Sequence, residues 1–176
     1  MTNTGRLEKV EKERQVQPVE MATDLPVFAP ATDLEERLRQ GRIPLFSLES
    51  QTPLNRFDII GFSLLYELNF TNILTMLELS GIPPLAGDRE PGHPFIVAGG
   101  PCTCNPEPVA DFFDAMVVGD GEQVVLELAR TWLEWKDAGS GDRELLLKTW
   151  YGIEGVYIPA FFEARYDAEG FQTVAA

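Results

Sequence analysis

The chain has 176 residues, of which 28 are acidic and 14 basic, and 44% are hydrophobic. That hydrophobic fraction is enough for one packed domain and excludes global disorder. The formal net charge of −14 argues against a nucleic-acid groove, which needs clustered Lys and Arg, and against an anionic membrane surface. No apolar stretch is long enough to span a bilayer and residues 1–20 lack the apolar segment of a secretory signal, so we expect a cytoplasmic protein.

The first ordered elements are expected after a polar tail at residues 1–22. A short apolar run at 25–28, stopped by Pro30, reads as a first strand. The following Thr32-Asp33-Leu34-Glu35 is typical of a capping box, and it predicts a helix that ends at Gly41.

Three further apolar segments predict buried strands, at 57–65, 94–98 and 115–118, the first of them buried on both faces. Helical spacing follows at 68–79, 108–113 and 123–135. This alternation predicts an α/β fold, a Rossmann-like or flavodoxin-like parallel sheet with helices on both faces. After a Gly-Ser-Gly linker, we predict a helix near 143–150. The strand-like segments 156–158 and 161–166, with a turn at 167–170, predict a C-terminal β-hairpin extension.

In an open parallel sheet, ligands bind where the carboxyl ends of the strands meet. Four segments are expected there, at 29–30, 63–65, 99–101 and 119–122. Their glycines let a ligand approach the backbone, and the following helix N-termini supply N–H donors. Each loop taken alone is explained as well by a tight strand-to-helix turn, but their coincidence along one edge favours a ligand crevice.

Three different motifs lie at the predicted strand ends, in this order along the chain: Asp58-Ile59-Ile60-Gly61-Phe62-Ser63-Leu64-Leu65, Ala98-Gly99-Gly100-Pro101 and Val118-Gly119-Asp120-Gly121-Glu122. In order and spacing they resemble the cobalamin-binding domain at the front of B12-binding radical SAM proteins. The flanking sequence is similar to a poorly characterised bacterial branch of that family, and the resemblance covers residues 25–174.

The resemblance implies that cobalamin lies against the strand ends, with its nucleotide tail lined by the Ser-x-Leu and Gly-Gly loops. These carry the candidate cofactor-binding residues Ser63, Leu65, Gly99 and Gly100. Gly119, Asp120 and Glu122 complete the candidate set. The first interpretation of Asp120 and Glu122 is that they are acids that stabilise a helix start, where Asp120 with Gln123 also fits a capping box. The second interpretation is that they make polar contacts to the ligand. Ser63 has the alternative role of a turn residue that binds its own following amides.

Two departures from the family change what is expected. The cobalt-ligating Asp-x-His-x-x-Gly loop is missing, and the single histidine, His93, precedes a strand and reads as a surface-loop residue. Cobalamin is therefore expected to bind without histidine coordination. The family's first strand, which would lie between the strands at 25–28 and 57–65, also has no counterpart. We expect these two neighbours to close directly on each other in a four-stranded sheet, with a mobile N-terminal tail. The alternatives are that residues 14–21 enter as a substitute strand or that two copies lend strands to one another.

The two cysteines, Cys102 and Cys104, are one residue apart, too close for an unstrained bridge, and read as free thiols. We interpret them as small side chains in a loop, with a ligand-proximal thiol as the alternative. A radical SAM centre needs three thiolates in a Cys-x3-Cys-x2-Cys run. The [4Fe–4S] cluster and S-adenosylmethionine are therefore expected only in the parent family, and no metal site is predicted in this chain.

The predicted organisation is a tail at 1–22, a cobalamin-binding-like α/β domain at 23–138, and a linker helix and hairpin at 139–176 that lead toward an absent radical SAM barrel. With no nucleophile–base pair, the isolated chain is predicted to bind rather than catalyse. Its expected partner is a radical SAM catalytic domain or subunit. Two alternatives stay open: an interaction domain with a vestigial crevice that docks on a separate catalytic subunit, and a non-functional fragment of a truncated gene.

Overall fold

The computed structural model describes residues 27–162, 165–170 and 172–173. Its main sheet has four strands in the order β1, β2, β3, β4. The strands β1 (Ile59–Ser63), β2 (Phe95–Gly99) and β3 (Ala115–Val117) are parallel, and β4 (Val156–Tyr157) joins β3 antiparallel. The predicted α/β fold with a mostly parallel open sheet is confirmed.

In the part of the chain that the structure describes, four α-helices accompany the sheet: α1 (Thr32–Gly41), α2 (Phe70–Leu79), α3 (Gly121–Asp137) and α4 (Arg143–Tyr151). Side chains alternate between the two faces of a strand, and β2 shows the result. Ile96 and Ala98 pack in the cluster that contains Ile73 and Leu77 of α2. The other face, with Phe95 and Val97, packs against Leu128 of α3 and Leu146 and Trp150 of α4. Helices therefore cover both faces of the sheet, and no helix in the described residues is long and apolar enough to cross a membrane.

The prediction that the first core strand is buried on both faces is wrong. β2 is buried at Phe95, Ile96, Val97 and Ala98, but in β1 Gly61 and Ser63 are exposed and the other residues are only half-buried. The reason is position, because β1 lies at the outside of the sheet and, among the described residues, pairs only with β2.

The predicted closure of the 25–28 segment on this strand is also wrong. Val27 and Phe28 belong to no strand, and Phe28 is 74% exposed. Val27 instead packs beside the cluster of Leu38 and Leu45, where it covers apolar side chains rather than a sheet edge. The fourth strand comes from the other end of the chain, as β4. The predicted tail at 1–22 lies outside the described residues.

Two of the predicted helix caps are not formed. α1 begins one residue earlier than the capping box requires, with Ala31 as N-cap and no side-chain cap hydrogen bond, so Thr32 already lies inside the helix. Asp120 is the N-cap of α3, but its carboxylate accepts no cap hydrogen bond. The cap that does form was not predicted: Asp142 accepts hydrogen bonds from the backbone N–H of Glu144 at 3.0 Å and of Leu145 at 3.3 Å.

The C-terminal hairpin is present with different arms. Its strands are β5 (Arg165–Tyr166) and β6 (Gln172–Thr173), joined through the predicted turn at 167–170. The segment at 156–158 instead supplies β4, and Val156 and Ile158 are buried with Leu146 and Trp150 in the core that β2 and β3 share. Residues 143–158 therefore contribute to the same core as the preceding α/β segment.

Candidate functional site

The carboxyl ends of β1 and β2 lie side by side, as their parallel pairing requires. Ser63 is aligned with Gly99. Beyond the strands, the backbone N–H of Leu64 donates to the Gly99 carbonyl at 2.7 Å, and the N–H of Cys102 donates to the Leu64 carbonyl at 3.0 Å. The structure thus brings the predicted Ser-x-Leu and Gly-Gly loops together and holds them by backbone hydrogen bonds.

On β1 and β2, the α3–α4 face of the sheet carries almost no side-chain volume at this end. Gly61 and Ser63 share that face of β1, and Gly99 continues it on β2. A Cβ atom added at Gly61 or at Gly99 would meet no heavy atom within 4 Å, and the exposed Ser63 lies two residues beyond Gly61 and opposite Gly99. We call these three residues the open floor. Leu65, 68% exposed, follows it directly and offers an apolar side chain at its rim.

Gly100 has a different role from Gly99. Its φ is +104°, and a Cβ atom there would lie 3.1 Å from the Leu64 carbonyl oxygen and 3.2 Å from the Leu64 nitrogen. Gly100 therefore permits a close approach of two backbones rather than leaving room for a ligand.

We expect Gly100→Ala to reduce the free energy of unfolding by about 1–3 kcal/mol, because alanine is strained at positive φ and would collide with the Leu64 backbone. Gly99→Ala is the matched control, since Gly99 has open space and no positive φ, and it should be neutral or slightly stabilising. Urea denaturation of the two variants measures the difference. Equal stabilities would contradict the separate roles given to the two glycines.

Thr103, which the sequence analysis missed, connects this end of the sheet to β3. Its side chain is buried, and its hydroxyl lies 2.8 Å from both the Gly100 carbonyl oxygen and the Val117 carbonyl oxygen. The bond to Gly100 spans three residues and is the kind of local turn contact that a threonine after a glycine makes. The bond to Val117 depends on the tertiary fold and leaves no trace in the local sequence.

The remaining candidates lie at the carboxyl end of β3, on the side of β4. Gly119 has a φ of +106° and turns the chain into α3. Asp120 and Glu122 line a groove of about 500 Å³ together with Glu127 and Glu154. The predicted residues are thus divided between the open floor beside β1 and an acidic groove beside β4, with Thr103 between their loops. An acidic groove without cationic side chains repels anions.

Neither the two cysteines nor the histidine belongs to the open floor. Cys102 and Cys104 are free, and burial, with a smaller effect of Glu67, raises the pKa of the Cys102 thiol, so it is protonated at neutral pH. His93 precedes β2 at the amino end of the sheet, where its Nδ1 accepts a hydrogen bond from the Glu90 N–H at 2.9 Å. Within the described part of the chain, no three His, Cys, Asp or Glu side chains are grouped so as to hold a metal ion.

Comparison with known proteins gives one result. A family model described as Radical SAM proteins, N-terminal, matches residues 19–159. The match spans most of the chain, and the chain belongs to this family. No curated protein and no solved structure matches the sequence.

Proposed function

We propose that this radical SAM N-terminal domain binds cobalamin, without a histidine ligand, on the open floor. The observation that carries the proposal is the absence of side-chain volume at Gly61 and Gly99, both next to the exposed Ser63. A flat group can approach the backbone there, where any larger residue would hold it away.

The residues present fit the nucleotide tail of cobalamin. The floor admits a planar base, the Ser63 hydroxyl offers a hydrogen bond to a polar group of the tail, and Leu65 offers an apolar contact. Gly100 supports the site indirectly by holding the two loops together. Gly119, Asp120 and Glu122 lie apart from the floor, at the β3 end, and are assigned to polar contacts only with uncharged groups of cobalamin that extend that far, because the acidic groove repels anions. Bound cobalamin would supply the cobalt chemistry, and this chain would hold and orient it for a radical SAM catalytic domain or subunit, the proposed partner, which would carry the [4Fe–4S] cluster and S-adenosylmethionine.

Titration of the protein with hydroxocobalamin tests the proposal. We expect a change in the visible spectrum with a dissociation constant below the millimolar range. Gly99→Val should weaken binding roughly tenfold or more, about 1.4 kcal/mol, because the new side chain fills the floor. Gly141→Val is the control, since Gly141 also has open space but lies in the loop before α4. A wild-type protein that leaves the spectrum unchanged would refute the proposal.

The same titration separates the coordination modes. His93 is held at the amino end of β2, and five strand residues span roughly 16 Å, so it is remote from the floor. His93→Ala should therefore leave both the spectrum and the affinity unchanged. A spectral shift in this variant would show that histidine does reach the cobalt.

A second function is favoured by an exposed aromatic cluster near the C-terminal end of the domain. Tyr151 contacts Phe161 with ring centroids 5.7 Å apart and Phe162 at 6.2 Å, and Tyr151 and Phe162 are each 52% exposed. Exposed apolar patches of this kind mark protein interfaces. The domain would then act as an interaction module that docks on a radical SAM catalytic subunit, with a vestigial crevice. Absence of cobalamin binding by the wild-type protein would favour this function.

A further inference from the structure

The outer edge of β1 is an unpaired edge of the main sheet within the described residues. The Phe95 N–H donates to the Asp58 carbonyl at 2.9 Å, and the Leu64 N–H donates to the Gly99 carbonyl at 2.7 Å. Because hydrogen-bonding directions alternate along a strand, the even-numbered residues of β1 pair with β2. Ile59, Gly61 and Ser63 therefore direct their N–H and C=O groups toward the outer edge.

Three features that usually keep sheet edges apart, namely proline, charged side chains and a β-bulge, are missing from β1. The sequence of β1 is Ile-Ile-Gly-Phe-Ser, without proline and without a charged side chain. The β1–β2 register is continuous from Ile59 to Ser63, so there is no bulge. At the strand start, Asp58 is paired with Lys136 at 3.2 Å. In a chain of net charge −14, the strand that forms this edge is thus a strip whose own side chains carry no charge.

We propose that two copies of the chain pair through this edge, β1 antiparallel to β1, about a two-fold axis at Gly61. In that register Gly61 lies opposite Gly61 of the second copy, and Ile59 lies opposite Ser63 of the second copy. These are the residues whose N–H and C=O groups point outward, and in an antiparallel ladder such opposed residues exchange both hydrogen bonds. The pattern is self-complementary, as a two-fold interface requires.

The side chains fit the same register. Ile60 lies opposite Phe62 of the second copy as a non-hydrogen-bonded pair, in which side chains are closest. Both are half-buried against the α1–α2 side of the core, so pairing removes their remaining apolar surface from water. On the other face, the opposed glycines introduce no collision, because the space at Gly61 is open.

A charge-swap experiment on the full chain tests this pairing. Sedimentation velocity at increasing concentration should show the wild type passing from the 19.6 kDa monomer to twice that mass. Gly61→Glu and Gly61→Lys should each lose the dimer, because two like charges would lie directly opposite one another. An equimolar mixture of the two variants should recover it, because the opposed charges then attract. Gly141→Glu adds the same charge at an exposed glycine with open space and should dimerise as the wild type does.

Circular dichroism confirms that each variant is folded before its mass is interpreted. The proposal is overturned if the wild type stays monomeric at all concentrations. That is the result expected if another segment or another protein occupied the edge. A dimer that survives Gly61→Glu places the interface elsewhere. Loss of the dimer in both variants without recovery in the mixture overturns the register at Gly61. None of these outcomes depends on cobalamin, so the two proposals fail or succeed separately.

Discussion

The Asp114→Ala variant is expected to lose about 3–5 kcal/mol of the free energy of unfolding. Asp114 is buried, and one of its carboxylate oxygens accepts hydrogen bonds from Arg89 at 2.8 Å and from the Ile96 N–H at 2.7 Å. The other accepts from Arg143 at 2.9 Å. A single carboxylate therefore balances two guanidinium groups, of which the Arg89 side chain has no exposed surface and the Arg143 side chain is 13% exposed.

The rest of the network explains why the loss is large. Arg89 also donates to the Pro84 and Phe112 carbonyls, each at 2.7 Å, and these bonds hold it in place when the carboxylate is removed. Burial lowers the pKa of the Arg89 guanidinium and Asp114 raises it, yet an arginine does not release its proton at neutral pH. Removing Asp114 therefore leaves an uncompensated buried charge rather than a neutral group.

Urea denaturation followed by circular dichroism measures the effect. The matched control is Asp58→Ala, which breaks the ion pair with Lys136, where both side chains are more than half exposed. Pairs of that kind contribute less than about 1 kcal/mol. Similar losses in the two variants would show that the Arg89–Asp114–Arg143 network contributes no more than a surface ion pair.

This network also shows what could not be predicted from the sequence. The burial of 95–98 and 115–117 follows from short apolar runs, and those predictions hold in β2 and β3. An aspartate in front of such a run looks like a solvated turn residue. Its partners Arg89 and Arg143 lie 25 and 29 positions away, so no local pattern links them.

The errors at the two sides of the sheet have a common physical cause. An apolar strand is buried on both faces only when other elements cover it, and the run at 57–65 gives no sign that β1 lies at an edge. The two-residue strand β4 depends on antiparallel pairing of Val156 with Val117 and is too short to show a periodic pattern.

For the candidate site, the sequence placed Ser63 and Gly99 at neighbouring strand ends because parallel ends must meet. It could not show that Asp120 and Glu122 face a groove on the other side of β3.

Trp150→Ala is the second substitution for which a large effect is expected, about 3–5 kcal/mol. Trp150 has no exposed surface and packs edge-on against Phe95 of β2, with ring centroids 5.2 Å apart. Its indole N–H donates to the Thr131 hydroxyl of α3 at 2.9 Å. The substitution removes the ring that joins α4 to both the sheet and α3, and it leaves a cavity between them.

The matched control is the next residue, Tyr151→Ala, in which an aromatic ring that is 52% exposed is lost from the same helix. It should cost less than about 1 kcal/mol, because little apolar surface returns to water. The comparison tests whether α4 is part of the folding unit or a linker beside it. If α4 unfolded independently, thermal denaturation of Trp150→Ala would show a separate early transition while the main transition stayed in place. A single cooperative transition, shifted to a much lower temperature in Trp150→Ala than in Tyr151→Ala, is the outcome that the shared core requires.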